Sequence, residues 1–279
     1  MDIIRAGVLG FCGGVRRAVA MLEDAVHQVG TIYTLHEIVH NEHVMDRLRE
    51  KGVILVDSLS KIPDGATVAL TAHGAPLSLI AGIQARHLNL IDATCPIVAD
   101  AQRRVAENSK SGRFTIIFGD SQHLEVRSLL SHASAGAIAA ESIEGLAIPS
   151  EGRLGLVAQT TKSPEALQAF ARDLRAQLPD KTNLVIQDTT CPEPVARYRA
   201  ARDLAANVDA IVVVGGSMSA NSRNLYAVCR ESGKPAFFLD SASKIDKFAV
   251  AAYRHIGLTA GASTPDWVID LVEEQLRLL

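Results

Sequence analysis

Three of the four cysteines stand in loops that could hold a metal or a cluster. Cys95 and Cys191 lie in two copies of one motif, Asp-x-Thr-Cys-Pro, each directly after an apolar, strand-like run. Cys12 lies in Gly10-Phe11-Cys12-Gly13-Gly14 after the first such run. Because Pro suits the first turn of a helix, we expect these loops to join a strand to a helix. The spacings of 83 and 96 residues between the cysteines indicate three similar units that each present one thiol.

Three thiolates allow several kinds of site. Iron–sulfur clusters are held by cysteine thiolates, and a 4Fe–4S cluster with three of them would leave one iron open for a hydroxyl or water. Zinc is the rival metal, but structural zinc sites usually contain a short Cys-x-x-Cys pair, which this chain lacks. Thiols that bind no metal are the third alternative. We favour a cluster on Cys12, Cys95 and Cys191 and expect Cys229, in a helical pattern, to be a core thiol.

Small polar side chains follow the other predicted strands. They are His40, His73, His123, Thr160, Ser219, Asn221 and Ser263. Imidazoles, hydroxyls and backbone N–H groups suit a small, multiply charged anion. The Gly-rich loop 215–222 matches neither the phosphate-loop motif nor the dinucleotide fingerprint, so a nucleotide ligand is not indicated.

Glu125 is the carboxylate with the clearest chemical potential. It follows a strand end and lies two residues after His123. A carboxyl group in a closed pocket can have its pKa raised and donate a proton. The alternative is a surface Glu at the start of a helix.

Short apolar runs alternate with helical patterns along the whole chain. One helical stripe is Val15, Val19, Leu22 and Val26, and another is Leu167, Phe170, Leu174 and Leu178. This alternation predicts an α/β fold with mainly parallel sheets. Ligands of such sheets bind outside the carboxyl ends of the strands, so three units arranged as a trefoil would bring the three thiols to the centre. The predicted units are 13–95, 96–191, and 192–279 together with 1–12.

Composition excludes several classes of partner. The 279 residues carry a net charge of −3, so nucleic acid and anionic membranes are not expected partners. No apolar run approaches the roughly 20 residues that span a bilayer, and the N-terminus is not typical of a signal peptide. We expect a cytoplasmic protein, in which four cysteines are not a disulfide framework.

Taken in order, these motifs resemble one family. They are Gly10-Phe11-Cys12-Gly13-Gly14-Val15, Val39-His40-Asn41, Ala72-His73-Gly74, Asp92-Ala93-Thr94-Cys95-Pro96, His123-x-Glu125-Val126, Gln159-Thr160-Thr161 and Gly261-Ala262-Ser263-x-Pro265. Over nearly the whole chain they are similar to the 4-hydroxy-3-methylbut-2-enyl diphosphate reductases of isoprenoid biosynthesis, also called LytB proteins.

The resemblance implies a trefoil around a 4Fe–4S cluster on Cys12, Cys95 and Cys191. It implies reductive removal of the substrate hydroxyl as water, with electrons from a ferredoxin or flavodoxin, to give isopentenyl and dimethylallyl diphosphate. The catalytic set would be Glu125 as proton source, Thr160 and His123. The diphosphate would be held by His40, His73, His123, Thr160, Ser219, Asn221 and Ser263.

Part of the implied substrate shell departs from the family pattern. Pro194 stands where a Thr is usual, Ala220 replaces a Ser, and Leu124 replaces a Pro. A hydrogen bond to a charged group contributes roughly 1.5–3 kcal/mol, so such losses would weaken substrate binding. Two alternatives follow: a divergent 4Fe–4S hydro-lyase or isomerase acting on another small phosphorylated or hydroxylated compound, and a non-catalytic iron–sulfur sensor.

Overall fold

The computed structural model describes residues 1–149, 152–240 and 245–279. The strands in this part of the chain are β1 Asp2–Arg5, β2 Ile32–Thr34, β3 Val53–Leu55, β4 Thr67–Leu70, β5 Asn89–Asp92, β6 Arg113–Phe118, β7 Ala137–Ala140, β8 Arg153–Ala158, β9 Asn183–Ile186, β10 Ala210–Val214, β11 Ala236–Leu239 and β12 His255–Ala260. The helices are α1 Gly13–Val29, α2 Glu42–Lys51, α3 Leu77–Ala85, α4 Pro96–Lys110, α5 Leu124–Ser131, α6 Pro164–Gln177, α7 Pro192–Ala205, α8 Ala220–Glu231, α9 Lys247–Val250 and α10 Asp266–Arg277. None of these helices is long and apolar enough to cross a membrane.

The strands form three four-stranded sheets of one topology. Their orders are β3-β2-β4-β5, β7-β6-β8-β9 and β11-β10-β12-β1, and the strand pairs described in them are parallel. The N-terminal strand β1 thus has the edge position in its sheet that β5 and β9 have in theirs. Each of these three edge strands leads to a cysteine loop. The predicted α/β class with three similar parallel sheets is confirmed.

Burial on both faces explains why inner strands such as β4, β8, β10 and β12 are continuous apolar runs. All five residues of β10 are buried. Val212 and Val214 pack with residues of α10, whereas Ile211 and Val213 pack with residues of α7 and α8. When helices cover both faces of a parallel sheet, the side chains on both sides of an inner strand are buried, so the strand does not alternate between apolar and polar residues. The predicted stripe of α6 is buried in the same way, from Leu167 through Leu178.

Some predicted strand boundaries were wrong. The apolar run Ile3–Leu9 predicts a longer first strand, but β1 ends at Arg5. The run Ile32–Val39 predicts a longer second strand, but β2 ends at Thr34. Consequently His40 does not end a strand; it directly precedes Asn41, the N-cap of α2. The edge strand β7 was missed, since its sequence Ala-Ile-Ala-Ala has a single β-branched residue and no alternation.

The described residues divide into two compact units. The first unit contains 1–23, 37–52 and 192–279, and the second contains 24–36 and 53–191. The sheet that includes β1 belongs to the first unit, and the other two sheets belong to the second. The division into three domains at the cysteine loops remains a prediction.

Candidate functional site

The repeated Asp-x-Thr-Cys-Pro loops have the same local structure. Oδ1 of Asp92 accepts the backbone N–H of Thr94, and Oδ1 of Asp188 accepts that of Thr190, each at 2.9 Å. Such Asx turns fix the chain direction at the end of a strand. The internal repeat in the sequence is therefore a repeat in structure, and the Asp residue is what shapes each loop.

Each of the three loop cysteines donates its backbone N–H to a carbonyl oxygen of a neighbouring loop. In the second unit, Cys95 donates to the carbonyl of Ala72 at 3.0 Å, and Cys191 donates to the carbonyl of Thr160 at 2.8 Å. In the first unit, Cys12 donates to the carbonyl of Ala262 at 3.0 Å. These bonds connect the cysteines to the segments that carry His73, Thr160 and Ser263.

Helix N-termini follow all three cysteines. Cys95 is the N-cap of α4, with Pro96 as the first helical residue. Cys191 and Cys12 directly precede α7 and α1. The Sγ of Cys12 also lies 3.5 Å from the backbone N of Val15, which donates to it. N–H groups and the positive end of a helix stabilise a thiolate.

Cys229 has a different environment. It is buried on α8 among apolar residues that include Leu225, and burial raises the pKa of its thiol to about 11. It is the core thiol predicted from the sequence. None of the four cysteines, all of which are described, forms a disulfide.

Glu125 is buried, with 1% of its surface exposed, in the first turn of α5. Its Oε1 accepts the backbone N–H of Thr160 at 2.6 Å, and its Oε2 lies 2.9 Å from the Thr160 hydroxyl. Burial raises the pKa of Glu125 to about 7, although both hydrogen bonds from Thr160 lower it. The interpretation of Glu125 as a surface residue was therefore wrong, and this carboxyl can hold a proton near neutral pH.

Two of the predicted histidines meet in the second unit. The rings of His73 and His123 are edge-on, with centroids 5.6 Å apart. Nδ1 of His123 accepts the backbone N–H of Glu125 at 3.2 Å, which makes His123 the N-cap of α5. His73 is fixed through its backbone N–H, which donates to the Thr71 hydroxyl at 3.2 Å.

The polar residues of the first unit lie on loops that touch one another. The Ser263 hydroxyl lies 3.4 Å from the carbonyl oxygen of His40, and a Cβ at Gly216 would lie 2.7 Å from the same oxygen. Only glycine permits that approach. Ser219 is the N-cap of α8, and Asn221 is the second residue of that helix. The N-terminus of α8 therefore opens beside His40, a geometry suited to an anion.

A cavity of about 310 Å³ lies in the first unit. His40 and Asn41 line one side, and Gly216, Ser217 and Met218 line another. Glu37 and Asp240 complete part of its wall, so this cavity is more acidic than the loops around Ser219 and Ser263.

Two buried residues of the first unit were not among the predicted site residues. Arg197, only 2% exposed, donates from Nη1 to the carbonyl of Ala260 at 2.7 Å, where β12 gives way to the loop of Ser263. The hydroxyl of Ser222 fills the space beside Gly261, whose Cβ would lie 2.0 Å from it. The sequence feature that could have indicated a buried role for Arg197 is a positively charged residue in an otherwise apolar helical stripe, which also contains Ala201 and Leu204.

Fold and site together define a parallel α/β protein with three thiols on equivalent loops, a proton-holding carboxyl and polar loops suited to an anion. The comparisons with known proteins agree with this class. The model of the LytB protein family matches residues 3–277. The chain therefore belongs to the LytB family.

Relatives and solved structures carry one activity in their names. A 4-hydroxy-3-methylbut-2-enyl diphosphate reductase from Xanthomonas axonopodis pv. citri (strain 306) is 37% identical over 288 residues, covering 100% of this chain and 91% of the relative. The enzyme of that name from Sodalis glossinidius (strain morsitans) is 36% identical, covering 100% and 90%. A structure of (E)-4-hydroxy-3-methyl-but-2-enyl diphosphate reductase, the terminal enzyme of the non-mevalonate pathway, superimposes with a TM-score of 0.81 at 30% identity, covering 100% and 99%. For the reductase from Plasmodium falciparum the TM-score is 0.88 at 27% identity, covering 100% and 87%.

Proposed function

We propose that this chain is an iron–sulfur reductase that removes the hydroxyl of 4-hydroxy-3-methylbut-2-enyl diphosphate and forms isopentenyl and dimethylallyl diphosphate. Family membership over the full length supports this activity. The observation that carries the chemistry is the buried Glu125–Thr160 pair, because Thr160 also accepts the backbone N–H of Cys191. A proton donor is thereby connected to a proposed cluster ligand.

The cysteines fit a 4Fe–4S cluster. Cys12, Cys95 and Cys191 are partly exposed at helix N-termini, whereas the buried Cys229 has a raised pKa and is unsuited to be a thiolate ligand. When bound, such a cluster supplies electrons and an open iron that acts as a Lewis acid. We assign its three protein ligands to Cys12, Cys95 and Cys191.

The diphosphate end of the substrate is assigned to hydroxyl, amide and imidazole donors. Ser219, Asn221 and Ser263 would donate from the first unit, with the positive end of α8 behind them. His40 and His73 would add charge-assisted hydrogen bonds when protonated, and His123 would donate from Nε2, because its Nδ1 accepts the backbone N–H of Glu125. Holding the diphosphate fixes the hydroxyl end of the substrate, which is the orientation that the reaction needs.

The proton comes from Glu125. At pH values below about 7 the buried carboxyl carries a proton, because burial disfavours the charged form. The hydroxyl of Thr160 lies 2.9 Å from Oε2 and can accept that proton while passing on its own. His123 holds the backbone of Glu125 in place through its Nδ1.

We assign the supply of electrons to a ferredoxin or flavodoxin. The cytoplasmic location of the protein remains a prediction.

The deciding experiment is anaerobic purification, quantification of iron and sulfide, and an assay of the allylic diphosphate with a low-potential reductant. We expect about four irons per chain and reductant-dependent turnover. Iron without turnover would contradict the substrate assignment, and absence of iron after reconstitution would contradict the cluster.

A second candidate is a divergent hydro-lyase or isomerase acting on another phosphorylated hydroxy compound. It is favoured by Pro194, the third residue of α7, because proline offers neither a hydroxyl nor an N–H. Such an enzyme would need no external electrons. Turnover in the absence of any reductant would favour it over the reductase.

A further inference from the structure

A buried hydrogen-bond network joins three segments of the second unit. Ser128 of α5 is fully buried, and its hydroxyl donates to the carbonyl of Ala75 at 2.9 Å. The same hydroxyl accepts a hydrogen bond from Nε2 of Gln102, on α4, at 2.8 Å. A hydroxyl has one proton to donate, and here it goes to a loop while a neighbouring helix supplies the donor. These three residues are named the Ser128 network.

Each segment of the Ser128 network carries a proposed site residue. Ser128 lies three residues after Glu125, one turn further along the same side of α5. The carbonyl that Ser128 bonds lies two residues after His73. Gln102 lies seven residues, or two helical turns, after Cys95, the N-cap of α4. The network therefore connects the elements of a proton source, a diphosphate-binding histidine and a cluster ligand.

Further contacts hold the loop after β4 against both helices. The backbone N–H of Leu77 donates to the Ser131 hydroxyl at 3.0 Å, and that hydroxyl donates to the carbonyl of Ser128 at 2.6 Å. Gly74 has a φ of +75°, and a Cβ there would overlap Nε2 of Gln102. Because packed interiors have little free volume, a displacement of one segment is transmitted to the other two.

We propose that the Ser128 network positions His73 and Glu125 relative to Cys95, so that the diphosphate and the proton source are aligned with the cluster. This inference rests on the proposed function, because the network acts only through residues of that reaction. Ser128 and Gln102 are positioning residues and need no contact with substrate. Reaction geometry is sensitive to such support, since a displacement of about 1 Å can lower a rate by about 100-fold.

The test measures steady-state kinetics of the anaerobic holoenzyme at equal iron content, with dithionite and methyl viologen as reductant. Ser128→Ala removes the shared hydroxyl, and Gln102→Met removes the amide at a half-buried position but keeps the length of the side chain. The matched control is Ser109→Ala. Ser109 is also buried on α4, and its hydroxyl accepts the backbone N–H of Ala135 at 3.3 Å, at the end of the helix opposite Cys95.

We expect Ser128→Ala to lower kcat by about tenfold and to raise KM for the allylic diphosphate, because Glu125 and His73 both lose their fixed positions. Gln102→Met should lower kcat by a smaller factor. The double variant should lose no more than Ser128→Ala alone, because the two side chains act through one hydrogen bond.

The control separates positioning from general destabilisation. Ser109→Ala also loses a buried hydrogen bond, so urea unfolding should show a loss of stability comparable to that of Ser128→Ala. Its kcat and KM should nevertheless stay at the wild-type values. Wild-type constants in both Ser128→Ala and Gln102→Met, equal kinetic losses in the control, or losses that multiply in the double variant would overturn the positioning role.

Hydrogen exchange of backbone amides provides a measurement that needs no turnover. In Ser128→Ala, the amides of residues 71–77 and those of α5 should both exchange faster than in wild type, whereas Ser109→Ala should change neither segment. Wild type that fails to turn over would contradict the proposed function. In that case exchange alone decides the network, and unchanged exchange in the two segments of Ser128→Ala would overturn it.

Discussion

Replacing Glu125 by Gln should remove a pH-dependent part of the stability of this protein. The carboxyl of Glu125 is 1% exposed and is bonded on both oxygens by Thr160. Burial raises its pKa from the ordinary 4.5 to about 7, so the folded protein binds this proton more tightly than the unfolded chain does. Glutamine has nearly the same shape and keeps the hydrogen-bonding capacity, but it does not titrate.

The sign and size of the effect follow from linkage between protonation and folding. Because the folded pKa is raised, the contribution of Glu125 is fully present below pH 4.5, where both states are protonated. It is lost as the pH rises through about 7, where a charge must be buried in the folded state. At 1.36 kcal/mol per pH unit, the loss is about 3 kcal/mol.

Urea unfolding of the anaerobic holoenzyme, followed by circular dichroism between about pH 5 and about pH 8, measures this loss. Relative to Glu125→Gln, wild type should become less stable by about 2.5 kcal/mol over that range. The matched control is Glu165→Gln, since Glu165 lies in the first turn of α6 but is exposed, and it should keep the wild-type pH dependence. A stability difference between wild type and Glu125→Gln that is constant over the whole range would refute the reasoning.

Three further predictions concern the chemistry of the site. Thr160→Val removes a hydroxyl that lowers the pKa of Glu125. The alkaline limb of the profile of kcat against pH should therefore move to higher pH, and kcat itself should fall. An unshifted limb would show that another group titrates. Cys95→Ser should lower the iron content measured after reconstitution, whereas Cys229→Ser should keep it, because Cys229 is buried in an apolar cluster that raises the pKa of its thiol; equal iron loss would contradict the ligand assignment. Pro194→Thr should lower KM for the allylic diphosphate about tenfold by restoring a hydroxyl worth roughly 1.5–3 kcal/mol, and an unchanged KM in steady-state kinetics would mean that this position does not contact substrate.

Local sequence was sufficient for much of the fold. The apolar runs that became β4, β8, β10 and β12 are buried on both faces, and such runs have few other stable environments. The Asp-x-Thr-Cys-Pro loops were predictable because Asx turns and helix caps depend on residues within a few positions of one another. Strand β7 escaped prediction for the opposite reason: its small residues have no strong preference of their own, and pairing with β6 makes them a strand.

The sequence by itself determined that Cys12, Cys95 and Cys191 stand on equivalent loops, and it singled out the carboxylate at Glu125. Only the tertiary structure decided what surrounds them. Nothing near position 125 in the chain distinguishes a surface carboxylate from a buried acid. The pKa of about 7 arises because burial in the folded chain desolvates the carboxyl, and this effect outweighs the hydrogen bonds from Thr160, which lower the pKa. Desolvation depends on all the atoms packed around a group, and that packing exists only once the chain has folded.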